Sequence, residues 1–213
     1  MEDGARTGRM YGGQSSTERG ERRRRALLDA AIDTLIAGEK LTVRGVCSRT
    51  GLTSRYFYEN FRSVDTLAEA AYDTCVGRIA TSVSAAFAAP QELTEQIASA
   101  MNALVELLET DPRSGHILFS HSIGNPLIAR KRQESTAFFA QITAETARAS
   151  VQSRVDVEQA AHFVVGGVTQ LLSVWLNERY SQAPEARDGA EVAGIATAMI
   201  TALAAQLTGP AAE

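Results

Sequence analysis

From residue 27 onward apolar positions recur at steps of three and four, and no stretch sustains an alternation of two between hairpin turns. Leu27, Leu28, Ala31, Ile32, Leu35 and Ile36 mark one face of a first helix that ends near Gly38, and Ser15-x-x-Glu18 has the form of a capping box at its start. Thr42 predicts the N-cap of a short second helix burying Val43, Val46 and Cys47; Gly51 ends it, and Thr53 caps a third helix carrying Phe57, Tyr58 and Phe61. Ser63 opens a long fourth helix through Leu67, Ala71, Cys75 and Ile79 to about Ala89, where Pro90 stops it. Gln91 to Thr110 is amphipathic, with Ile97, Met101, Leu104, Val105 and Leu108 on its apolar side, and Asp111-Pro112 closes it. Pro126 opens a helix that passes Phe138, Phe139 and Ile142 towards Ala149, Asp156 opens one that runs to Arg179, and Arg187 to Leu207 is the last. The expectation is an all-α fold of about nine helices.

Two helices lack an ordinary polar stripe. From Ala160 to Leu176 apolar residues lie all round, and past Glu191 the last helix is uncharged and rich in alanine. A helix apolar on every side has to be covered on every side, by its own domain and by something else, and small side chains let a partner helix come close. This predicts a homodimer interface through Val164, Val168, Leu171 and Leu172 with Ile195 and Met199; the alternative is that both are internal helices of a large monomer.

Composition narrows the class. The chain has 213 residues, 45% apolar and 22% charged, which is globular and neither collagenous, disordered nor disulfide-stapled. Cys47 and Cys75 fall in helix interiors without C-x-x-C spacing, so both are expected as reduced thiols in a cytoplasmic protein. The Arg-rich start has no apolar core of a secretory signal. Residues 159–177 and 192–212 reach membrane-span length, but polar residues interrupt them, and no membrane partner is expected. The net charge of −4 hides a split: residues 1–62 hold 12 Lys and Arg against 8 Asp and Glu, and the remainder holds 9 against 17. A basic head on an acidic body predicts that the head meets a polyanion. Three regions follow: a flexible basic arm over residues 1–16, a basic head over 17–62, and an acidic helical body over 63–213.

The head carries the most specific signal. Residues 42–61, TVRGVCSRTGLTSRYFYENF, place two short helices around a tight turn, with the small Cys47 four positions before Gly51. That is the spacing of a helix-turn-helix. Ser54, Arg55 and Tyr56 occupy the first turn of the reader helix, while Thr42 and Thr53 stand at helix N-termini whose free N–H groups suit phosphates. Arg44, Tyr58 and Arg62 flank them. Tyr58 has a second possible role, stapling the third helix to the first, and Arg55 has one as a solvated surface charge.

The V-C-x-x-x-G-L-T-S turn, the F-Y-E-N-F ending of the reader helix and the S-V-D-T-L start of the fourth helix resemble the tetracycline-repressor (TetR/AcrR) family of bacterial regulators over residues 20–70. The resemblance implies an Ω-shaped homodimer whose heads bind a palindromic operator in double-stranded DNA and whose body holds an inducer. It implies phosphate contacts at Thr42, Thr53, Tyr58, Arg62 and Ser63, and base-facing positions at Ser54, Arg55 and Tyr56. Asn60, also placed at the DNA, stands where the family often has His, and Cys47 stands where Ala is usual.

Enzyme signatures fail. His116 and His121 lie five apart, about 140° around a helix, and His162 is remote. Ser122 in F-S-H-S-I-G lacks the leading Gly of a nucleophile elbow, and neither a dinucleotide nor a P-loop glycine motif occurs. No catalytic residue, metal or cofactor is expected. Met101, Leu104, Phe119, His121, Phe138, Phe139, Gln170 and Trp175 mix aromatics with a few polar groups and are expected to line an effector cavity for a small apolar or amphiphilic ligand, although an ordinary core has the same composition. The expected function is a sequence-specific transcriptional regulator, most simply a repressor that its ligand releases. A helical enzyme or a dimeric adaptor containing a helix-turn-helix is the alternative.

Overall fold

The computed structural model describes residues 16–88, 92–120, 122–150, 156–181 and 187–208, and among these every regular element is a helix. The expected capping box at Ser15 and the arm lie outside the described residues, except that Ser16, assigned to the arm, already begins α1 (Ser16–Ile36). The chain leaves α1 through a left-handed Gly38 at φ 68°, where Gly38 N–H donates to Leu35 O and Glu39 N–H to Thr34 O. This pair of bonds closes the helix and turns the chain sharply into the next one.

α2 (Val43–Thr50) is capped by Thr42, whose Oγ1 accepts from Gly45 N–H at 3.1 Å, and ends at Gly51 with φ 68°. α3 (Ser54–Asn60) follows within three residues. Val46, Phe57 and Phe61 are buried against Leu27, Ala31 and Leu35 of α1, so the two short helices are held by a third that is long enough to be stable. α4 (Val64–Phe87) starts on Ser63, whose Oγ accepts from Thr66 N–H, and packs its Leu67, Ala71, Tyr72 and Cys75 face against α1, α5 (Leu93–Thr110) and α7 (Pro126–Ser150). It is the element shared by the head and the rest.

One helix was missing from the sequence reading. Asp111-Pro112 closes α5 and at once opens α6 (Pro112–Phe119), with Pro112 in the first turn and Asp111 accepting from Ser114 N–H and Ser114 Oγ. α7 begins on Asn125, whose Oδ1 accepts from Leu127 N–H at 2.9 Å, and α8 (Val157–Tyr180) begins on Asp156. α9 (Gly189–Thr208) lies against α5 and α8. α9 is also the one described helix long and apolar enough to cross a membrane by length and composition. Its Val192, Ala193 and Ala196 are buried in the bundle and its Met199 is 68% exposed.

Candidate nucleic-acid interface and effector cavity

The α2–turn–α3 unit leaves its expected contact residues on one accessible surface. Thr42, Arg44, Thr53, Ser54, Arg55, Tyr58, Arg62 and Ser63 are exposed. Arg55 projects from α3 and, among the described residues, pairs only with Glu59, one turn on, at 3.0 Å. Tyr58 is 61% exposed and meets Phe57 of its own helix edge-on at 5.3 Å. Tyr56 is half-buried under the Arg23 guanidinium, 4.0 Å from the ring centre, and Arg24 lies over Phe61 at 4.5 Å. The arginine run of α1 is thereby laid beside the reader helix, where cation–π contact holds its charges in place. Asn60 spends an amide N–H on Tyr56 O, within its own helix. Thr53 occupies the N-cap position of α3 but accepts no capping bond there, leaving its hydroxyl and the first N–H groups of the helix open to an anion.

Behind the head, α4 to α9 enclose a cavity of about 490 Å³ that continues into a second of about 370 Å³; Val83, Met101, Thr143, Val164 and Ile200 line both. Met101, Leu104, Phe119 and Phe139 line the first, as expected from the sequence. The other expected lining residues do not. Phe138 turns outward and is 47% exposed, Gln170 is exposed on the opposite side of α8, and Trp175 is buried elsewhere with its Nε1–H donating to Arg187 O at 3.0 Å. Trp175 is thus a core residue that ties α8 to the start of α9. His121 lies outside the described residues.

The expected dimer residues divide between the cavity wall and the outside. Val164, Val168 and Leu172 face the cavity and Leu171 packs on the core. The outward stripe of α8 is instead Phe163, Gly166, Gly167, Gln170 and Val174, continued on α9 by Met199, with Ile195 half-buried beside it. The two glycines and the glutamine fill the positions an ordinary surface helix would charge.

Sequence reasoning also missed Arg132. Its neighbours Arg130 and Lys131 pair with acids, Arg130 with Glu69 and Lys131 with Asp73, both at distances under 3 Å: 2.8 and 2.7 Å. Arg132 points the other way. It is half-buried in the cavity wall, donates from Nε to Leu118 O at 3.1 Å and from Nη2 to Ile117 O at 3.0 Å, and has no carboxylate partner among the described residues. Burial pulls its pKa down, and together with burial its charge pulls the His116 imidazole below the ordinary value. Beside it, Ser135 Oγ donates to Arg132 O, and Tyr72 OH lies 2.8 Å from the same Ser135 hydroxyl, which leaves Tyr72 as the donor of that pair. Burial raises the Tyr72 pKa, against the opposing hydrogen bond and the Arg132 charge. The only signal in the sequence was its place in the run Arg130-Lys131-Arg132, which reads as a solvated face.

Among the described residues no group of three or more His, Cys, Asp or Glu is placed to hold a metal. Ser122 stands in an exposed turn with its hydroxyl 2.8 Å from Ser120 Oγ, and His116 stacks on Tyr180 at 4.9 Å.

No protein-family model matches the chain, and no curated protein matches it in sequence. Solved structures do. A candidate TetR-family regulator from Syntrophomonas wolfei superposes with a TM-score of 0.70 at 14% identity, over 86% of this chain and 95% of that one. The fatty acid degradation regulator FadR from Bacillus halodurans gives 0.68 at 12% identity, over 84% and 94%. A TetR-like regulator from Rhodococcus sp. RHA1 gives 0.63 at 16% identity, over 88% and 97%. Since the superpositions span more than four fifths of this chain and more than nine tenths of each of the others, this protein has the fold of the TetR-family transcriptional regulators.

Proposed function

We propose that the protein is a TetR-family transcriptional regulator that binds a palindromic operator as a homodimer and is released from it by a small apolar or amphiphilic ligand. The observation that carries the reading is the α2–turn–α3 unit, with exposed Ser54 and Arg55 at the start of the reader helix and the α1 arginines set beside it. Residues 17–62 are the reading head and residues 63–213 the effector and dimerisation body. Thr42, Thr53, Tyr58, Arg62 and Ser63 take phosphates, with Arg44 and Asn60 alongside, and Ser54, Arg55 and Tyr56 face the bases. The outward stripe of α8 and α9 pairs with its own copy, which supplies the cover that Phe163 and Met199 lack in the monomer. Such a protein acts in the cytoplasm as a repressor, and the cavity is a binding site rather than a catalytic one.

In this scheme a ligand works through differential affinity, binding the DNA-free form better and weakening operator binding by the same factor. Repeated selection from a random pool of DNA duplexes tests the proposal. One sequence motif should be enriched, and its affinity should fall steeply between 50 and 200 mM salt as released counterions lose their advantage. A pool that stays random after selection, or an affinity insensitive to salt, would overturn it.

A further inference from the structure

The chemistry of the cavity is graded along its length. At the end walled by α4, α6 and α7 lie Arg132, Tyr72, Ser135 and Thr136; the second chamber has Ile97, Ile142 and Leu203 in its wall and no charged residue. Arg132 is the charge that the fold itself leaves unneutralised there. Holding a guanidinium half out of water without a carboxylate costs desolvation that two backbone carbonyls only partly offset. Those same two bonds fix the plane of the guanidinium, so an incoming anion meets a donor already oriented.

From this we infer that the cavity takes a single-chain amphiphile with a carboxylate head, Arg132 holding the head and the second chamber the tail. A monoanion fits better than a phosphate. Arg132 is the one Lys or Arg among the residues that line this chamber, and Lys131 beside it in the chain is already paired with Asp73 and Glu134, so a second negative charge would find no further ammonium or guanidinium in the wall. The hydroxyl protons of Tyr72, Ser135 and Thr136 are already spent within the wall, on Ser135 Oγ and Arg132 O, so the unused guanidinium N–H groups of Arg132 take the head, and the joined chambers suit an extended chain better than a compact ring. The inference rests on the reading of this cavity as the effector site and names the class of ligand it takes.

Calorimetric titration of the 213-residue chain with saturated fatty acids from octanoate to hexadecanoate tests it, with the alcohol, the alkyl phosphate and the alkyl trimethylammonium of the best-binding length as controls. One acid should bind per protomer, tightening about three- to fourfold per added methylene until the tail fills its chamber. The alcohol and the phosphate should bind at least tenfold more weakly and the ammonium not measurably. R132Q should lose at least tenfold for the acid and leave the alcohol unchanged, whereas R132K should keep part of the preference. A residue that merely braced the last turn of α6 would move the melting temperature and not this acid-to-alcohol ratio.

Equal affinity for acid and alcohol in the native chain overturns the inference whether or not the variants fold. So does an acid preference that survives R132Q, a phosphate that binds more tightly than the acid, or a series in which no acid binds. The two readings fail separately: operator binding by a chain that takes none of these acids removes the carboxylate site and leaves the regulator. Acid binding that leaves operator affinity unchanged supports the carboxylate site and removes the switch.

Discussion

Arg55 and Arg62 carry the same charge at opposite ends of the reader helix, and their positions give them different tasks. Arg55 projects from the first turn with only Glu59 to hold it, an exposed pair that costs little to break, so it is free to reach base edges. Arg62 is exposed in the bend before α4, where the proposed interface has it take a phosphate rather than a base. Arg55→Ala should therefore cost about 1–3 kcal/mol on the preferred operator and relax the choice at one base position, whereas Arg62→Ala should weaken all sequences alike and lower the salt slope by about one. Affinities on a panel of single-base operator variants decide it; identical behaviour of the two variants would contradict the division. These exposed positions were legible because helix-start chemistry and turn spacing are local properties. Arg132 was not: successive residues on a helix differ by about 100°, and whether Arg130, Lys131 or Arg132 faces inward depends on which helices α7 meets. Trp175 failed for the same reason, its indole N–H being claimed by Arg187 O, 12 residues further along.

α6 shows what an element can hide at eight residues. Its apolar content is too short for periodicity to register, yet Asp111 followed by Pro112 is a helix start as readily as a helix stop, and the structure uses it as both. The short α2 and the long α4 and α8 were legible to within a few residues of their ends, through Thr42, Ser63 and Asp156 as caps. The outward side of α8 was not legible because an all-round apolar helix offers no polar stripe to orient it; the small residues Gly166 and Gly167 lie on the outside. α6 is bound to α8 by Tyr180, whose hydroxyl donates to Pro112 O at 2.7 Å. Burial and the nearby Asp111 charge push the Tyr180 pKa up to about 12. With an ordinary value near 10 in the unfolded chain, the raised value means this contribution is whole below pH 10 and is lost as pH rises through 12. Tyr180→Phe should lower stability by on the order of 0.5–1 kcal/mol at neutral pH, and the gap between the two proteins should shrink above pH 10. Urea unfolding at pH 8 and pH 11 measures both; a gap that widens with pH contradicts the sign.

At the scale of the whole molecule, the proposed reading of a palindrome needs two heads held in register by one body. The stripe of Phe163, Val174 and Met199 is what is left over once α8 and α9 have covered the cavity. Met199→Arg or Phe163→Arg places a charge where two copies would exclude water, so each should give monomers in sedimentation at micromolar concentration and abolish operator binding with the reader helix intact. The native protein sedimenting as a monomer under those conditions would refute the dimer. Arg113 joins the halves of each protomer, its Nε 2.8 Å from Asp33 and its Nη2 donating to Asp29 O on α1. Arg113 belongs to α6, whose last carbonyls rest on Arg132, so the cavity wall and the head share one short helix. The measurement that bears most directly on all of this is hydroxyl-radical footprinting on a selected duplex. Two protected half-sites related by a dyad should appear on one side of the helix, their centres roughly 34–36 Å or a multiple apart. A single unpaired footprint, or uniform protection along the whole duplex, would contradict the account.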